Sequence, residues 1–135
     1  MIKYIKNPKN LWVWLAAPQI WINKKLIVVS LLKDYEDENY RTIMMINPEI
    51  NEFSKECEVD QEWCLSLPKV KWDVERSSSI KLTYIDHEWR SNKIILKWLS
   101  ARIVQHEIDH LNWVLFTDRL KEQNTINSTF QLKNI

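Results

Sequence analysis

The sequence contains no glycine. Average usage would supply about nine or ten at this length. Glycine serves positive φ and close backbone approach, so other residues must meet those needs here. Long hydrophobic runs are also missing. Leu26–Leu32 and Ile43–Ile46 fall far below the ~20 apolar residues of a membrane-spanning helix, so no membrane partner is expected. Net charge is +1 with 27% charged residues. No basic block marks a nucleic-acid footprint, and no acidic block marks a tail. Met1–Lys6 carries charge without an apolar stretch, so no signal peptide is expected. The two cysteines are then expected as reduced thiols rather than a disulfide. A chain of 135 residues fits one domain, 1–135, able to bury roughly two-thirds of its unfolded surface. Residues 1–10 read as an exposed arm and 121–135 as a polar tail.

What is present is β-rich. Lys25–Lys33 and Tyr40–Asn47 are rich in Val, Ile and Leu, and the polar turn Asp34–Asn39 joins them as a hairpin. Pro48 is expected to end the second strand. Ile50–Val59 alternates loosely and suggests a third strand, with Cys57 buried or half-buried. Val70–Val74 and Ile80–Ile85 are further strands around the connection Ser77–Ser79. Asp86–Asn92 is a turn in which His87 is solvated. Lys93–Leu96 extends toward a helix at about Lys97–Asn112, and Val114–Leu120 is again extended. The pattern predicts an α+β fold, with antiparallel sheets packed around one central metal-bearing helix.

The helix carries the chemistry. Gln105-His106-Glu107-Ile108-Asp109-His110 contains two of the three histidines, four residues apart. That spacing puts both imidazoles on one helix face, within reach of one small divalent ion. Glu107 is suited to hold a metal-activated water as general base without ligating the ion. Two unrelated histidines on a surface helix would match the same pattern. Leu99, Ile103, Val104, Ile108 and Leu111 argue instead for a partly buried helix, where imidazoles need partners.

Two histidines leave a catalytic site one protein ligand short. Cys64 is a candidate for the third, and a thiolate favours Fe(II) or Zn(II) over Mg or Ca. It also reads as an ordinary buried cysteine. A zinc metallopeptidase would draw its third ligand from downstream, where Glu122 is the only Glu or His after His110. Gln19, the one long polar side chain in Leu11–Trp21, either points outward or aims its amide into a site.

Three segments together resemble the peptide deformylase family. Leu15-Ala16-Ala17-Pro18-Gln19 is similar to its motif G-x-G-L-A-A-x-Q, Glu62-Trp63-Cys64-Leu65-Ser66 to E-G-C-L-S, and Gln105–His110 to Q-H-E-x-D-H. Order and spacing agree over about Leu11–Leu120. The resemblance implies removal of the formyl group from formyl-methionyl nascent peptides, with transient ribosome contact, as a monomer in a bacterial cytoplasm or an organelle. It implies metal ligands Cys64, His106 and His110, holding Fe(II) physiologically or Zn, Ni or Co. It implies Glu107 as general base and proton donor, and Gln19 with the Leu65 backbone N–H as oxyanion donors. A pocket for the methionine side chain is expected near Leu15, Ile103, Val104 and residues 65–68.

The chain departs from the family at its glycine positions. Trp12 and Trp14 stand at the two glycines of the first motif and Trp63 at the glycine of the second. Trp21, Trp72, Trp89, Trp98 and Trp113 also stand where the family pattern calls for glycine. All eight tryptophans thus occupy glycine-like positions, as though every glycine had been replaced. Strain at such sites would cost about 1–3 kcal/mol each, and Trp12, Trp14 and Trp63 could fill the cleft. A metal- or peptide-binding relative with a blocked cleft is therefore the alternative for function.

Overall fold

A computed structural model describes residues 14–20, 22–64 and 67–112, and within them all side chains except those of residues 14, 20, 63, 64 and 67–70. The expected segment Val114–Leu120, the arm 1–10 and the tail 121–135 lie outside these residues.

Among these residues, seven strands precede one helix. They are β1 (Trp14–Ala16), β2 (Leu26–Leu31), β3 (Arg41–Phe53), β4 (Cys57–Cys64), β5 (Leu67–Ser77), β6 (Ser79–Ile85) and β7 (Ser91–Lys97), with a 3-10 turn at Ala17–Ile20 after β1. The helix, α1, spans Trp98–Leu111. Five strands form an antiparallel sheet in the order β1-β2-β3-β6-β7, and β4 pairs with β5 in a separate two-stranded sheet. The α+β class follows directly from this element order.

Side-chain chemistry explains the layering. Ile27, Val28, Val29 and Ser30 of β2 are all buried, as suits a strand covered on both faces. Buried Ser30 meets a hydroxyl partner, Thr42 Oγ1 on β3, at 3.0 Å. At the sheet edge β7 alternates instead. Asn92, Ile94 and Leu96 turn inward while Lys93, Ile95 and Lys97 face solvent, and lysines on an edge oppose strand-to-strand association. The core joins Ile27, Val29, Met45, Ile80 and Leu82 of the sheet to Ala101, Ile103, Val104 and Leu111 of α1. Met45 is fully buried, and truncating such a side chain to alanine costs about 2–5 kcal/mol. Ser100 pins the first turn of α1 by donating to the Leu32 carbonyl at 2.7 Å.

Two strand expectations change. Pro48 does not end a strand, because β3 runs through it to Phe53. The pairing of β3 with β6 shifts register between Ile46 and Glu49. A bulge tolerates a residue without an N–H, and Asn47 turns the backbone there at φ 48°. The expected strand Ile50–Val59 is instead the end of β3 and the start of β4, separated by a turn. The Ser54 hydroxyl builds that turn, donating to the Glu56 carbonyl and accepting the Ser79 N–H. Cys57 is exposed rather than buried, since β4 pairs only with β5 and residues 57–61 are uncovered. His87 is solvated as expected, with a side chain 70% exposed.

Candidate metal centre

On α1, His106, Glu107 and His110 are all buried, and one potential ligand atom from each lies within 4.8 Å of the others. The Nε2 atoms of His106 and His110 are 3.2 Å apart. Their rings meet edge-on, with centroids at 4.9 Å and planes at 70°. Glu107 is fully buried, and its Oε1 is 4.0 Å from His106 Nε2.

The His106 tautomer follows from its neighbour. Nδ1 lies 2.8 Å from Glu62 Oε2 on β4. Burial pushes the Glu62 carboxyl up, but hydrogen bonds from His106 and Arg76 outweigh it and hold the group at about 2. A carboxylate only accepts, so Nδ1–H donates to it and Nε2 presents a lone pair. That is the donor set a divalent metal requires. Two imidazole nitrogens converge, one oriented by a carboxylate, with a glutamate alongside; these residues fit such an ion.

Glu62 is itself gripped. Arg76 of β5 forks onto it, Nε to Oε1 at 2.9 Å and Nη2 to Oε2 at 3.0 Å. Arg102 of α1 donates to Oε1 at 2.9 Å and to the carbonyls of Val74 and Glu58. Arg76 Nη1 also reaches Asp109 Oδ2. All four charged residues are buried. No role for Arg76, Arg102, Glu62 or Asp109 is evident from the sequence. The available signal was Arg102 amid apolar helix residues, one turn before His106.

Gln19 enters from the 3-10 turn. Its Oε1 accepts the Ala16 N–H at 2.8 Å, which assigns Nε2 to the side 3.4 Å from His110 Nε2. The amide donor therefore faces the histidines across 91 positions of sequence. The backbone of Cys64 ends β4, two residues beyond Glu62. Its side chain, and all of Leu65, lie outside what is described.

Of the residues expected near a methionine pocket, Ile103 lines a small cavity of about 20 Å³ with Tyr35, Leu99, Arg102 and His106. Val104 packs in the core cluster, and Leu15 is fully buried in β1. A larger cavity of about 740 Å³ opens on another side of α1, against Gln105, Ile108, Asp109 and Asn112. It is lined by none of His106, Glu107 and His110, whereas the small cavity includes His106.

Among the described residues, two tryptophans have left-handed backbone, Trp89 at φ 63° and Trp98 at φ 56°. Trp14, Trp63 and Trp72 lie in strands, and Trp12, Trp21 and Trp113 are outside the described residues. No described helix is long and apolar enough to cross a membrane.

Comparison with known proteins agrees with this geometry. The family model described as Polypeptide deformylase matches residues 1–125. A peptide deformylase of Synechocystis sp. is 47% identical over 108 residues, covering 80% of this chain and 57% of that protein. Peptide deformylase 2 of Gloeobacter violaceus is 44% identical over 111 residues, covering 82% and 58%. The chain thus spans less than two-thirds of the length of these relatives. Among solved structures, the Met-Ala-Ser-bound class I type b peptide deformylase of Acinetobacter baumannii superposes with a TM-score of 0.75 at 37% identity, covering 82% of this chain and 72% of that one. A probable peptide deformylase of Synechococcus phage S-SSM7 gives 0.74 at 40%, covering 82% and 74%. A match across most of the sequence, relatives above 40% identity and one shared fold lead to a single conclusion: this chain belongs to the peptide deformylase family.

Proposed function

We propose that the chain is a metal-dependent hydrolase that removes the formyl group from the N-terminal formyl-methionine of nascent peptides. The observation that carries this reading is the pair of Nε2 atoms at 3.2 Å with Glu107 buried beside them, in a member of this family. The relative with bound Met-Ala-Ser supports a peptide beginning with methionine as ligand. Family membership favours this reading over a metallopeptidase ligated by Glu122.

Cys64, His106 and His110 would hold one divalent ion, physiologically Fe(II), with Zn, Ni or Co as substitutes. When bound, the metal supplies Lewis acidity and lowers the pKa of a water so that hydroxide is available near neutral pH. The protein does the rest. Glu107, enclosed and next to His106, takes a proton from the attacking water and returns it to the departing amine. Gln19 Nε2, held in place through its own Oε1, donates to the oxygen that gains charge, together with the Leu65 N–H. A donor of this kind contributes about 3–4 kcal/mol. Glu62 keeps His106 in the ligating tautomer. The methionine side chain would lie near Leu15, Ile103 and Val104, of which Ile103 shares a small cavity with His106. We take residues 1–135 to belong to one domain of a monomeric protein acting where formyl-methionyl chains are made, in a bacterial cytoplasm or an organelle, with transient ribosome contact.

The test is formate release from a formyl-Met tripeptide by Ni-loaded protein. Activity that disappears in Glu107→Ala, while Ni stays bound, supports the proposal. Cys64→Ser should abolish metal binding; a Cys64→Ser protein that binds Ni normally would favour a different third ligand. No activity in the wild type, with activity restored by glycine at 12, 14 and 63, would identify a blocked cleft. No activity in either protein would end the enzyme reading.

A further inference from the structure

We propose that Arg76 is the positioning residue of this metal centre, locking the β4–β5 hairpin to α1 and thereby fixing the His106 ring. The inference rests on the metal reading above and extends it to a residue that touches neither ion nor substrate. Three observations carry it. The Arg76 guanidinium meets both oxygens of Glu62 in a fork, and a planar fork fixes a carboxylate in orientation as well as position. The same Glu62 oxygen that accepts from Arg76 Nη2 also accepts from His106 Nδ1. The third nitrogen, Nη1, reaches Asp109 on α1, three residues beyond His106 and one before His110. Arg76 therefore ties the strand that ends at Cys64 to the helix bearing both histidines.

Arg102 does not replace it. Arg102 belongs to α1 and is tied mainly to backbone carbonyls on β4 and β5, with one bond to Glu62. Arg76 instead engages two carboxylates on two elements. A buried ion cluster is an inefficient stabiliser, because desolvation offsets most of its attraction. Its value here is geometric: it holds a carboxylate at the one nitrogen of His106 that must carry a proton.

The experiment loads the full chain with Co(II). It reads affinity by chelator competition, site geometry by the visible spectrum, and folding by circular dichroism. Arg76→Lys keeps the charge and loses the fork. It should weaken Co(II) binding by roughly 10- to 100-fold, as loss of an outer-shell partner does, with a changed visible spectrum and unchanged circular dichroism. Glu62→Gln should do the same. The double variant should bind no more weakly than Glu62→Gln alone, since Arg76 acts through Glu62. If Arg76→Lys fails to fold, Asp109→Asn loosens the other arm of the clamp and the same spectrum decides. Wild-type affinity and spectrum in a folded Arg76→Lys or Asp109→Asn protein, even one that melts earlier, would reduce the clamp to scaffolding and overturn the proposal. Additive losses in the double variant would overturn it too. A wild type that binds no Co(II), or binds it equally well as His106→Ala, would overturn the metal reading and this inference together.

Discussion

Trp98 donates its backbone N–H to the Ser78 carbonyl at 2.8 Å while its own φ is 56°. It opens α1 with an L-residue in a conformation that glycine adopts at no steric cost. Trp89 does the same in the β6–β7 hairpin loop, at φ 63° and 78% exposed. Hairpin loops commonly place glycine at such a left-handed position. Neither indole is buried enough for packing to offset the strain. Trp98→Gly and Trp89→Gly should each raise stability, by about 1–3 kcal/mol, read as a higher urea midpoint at constant slope. A lower midpoint would mean that these positions are not built for glycine.

Gln19 has its amide orientation assigned by the Ala16 N–H. Gln19→Ala should therefore lower kcat by roughly 10²- to 10³-fold, the usual loss for one oxyanion donor, and leave metal affinity alone. Steady-state kinetics beside metal titration separates the two. A Gln19→Ala protein with normal turnover would remove this residue from the mechanism.

Asp86 is expected to couple the β6–β7 loop to acid. Its carboxyl is held at about 2, below the ordinary 3.8, by the Arg90 backbone N–H first, then the Asn92 amide and the Glu88 N–H. The folded state thus binds fewer protons than the unfolded state between those two values. The contribution is complete above pH 3.8 and is lost as pH falls through about 2. Asp86→Asn should flatten the dependence of stability on pH across that window, measured by urea unfolding at successive pH values. Equal slopes in both proteins would show that the loop does not sense acid through Asp86.

Much of the fold was legible because it is locally encoded. The β2–β3 hairpin follows from two aliphatic runs around a polar turn. The helix boundaries at Lys97 and Asn112 follow from the apolar spacing of Leu99, Ile103, Val104 and Leu111. Pro48 misled because the bulge that accommodates it depends on the register of β6, a partner far along the chain. The Ser54 turn was hidden for the same reason, since Ser79 completes it. In the site, the two histidines and Glu107 declare themselves by spacing alone. The arginine clamp does not, because Arg76 and Asp109 are 33 positions apart and Arg76 lies in none of the three motifs.

That distance has a consequence for how the molecule comes together. Glu62 meets His106 across 44 positions, and Gln19 meets His110 across 91. Each contact closes a large loop, whose entropic cost must be met before the contact contributes. The last two turns of α1 thus act as a latch. The contacts that assemble the site are thus also contacts between distant segments, and a variant that loosens them should slow folding as well as catalysis.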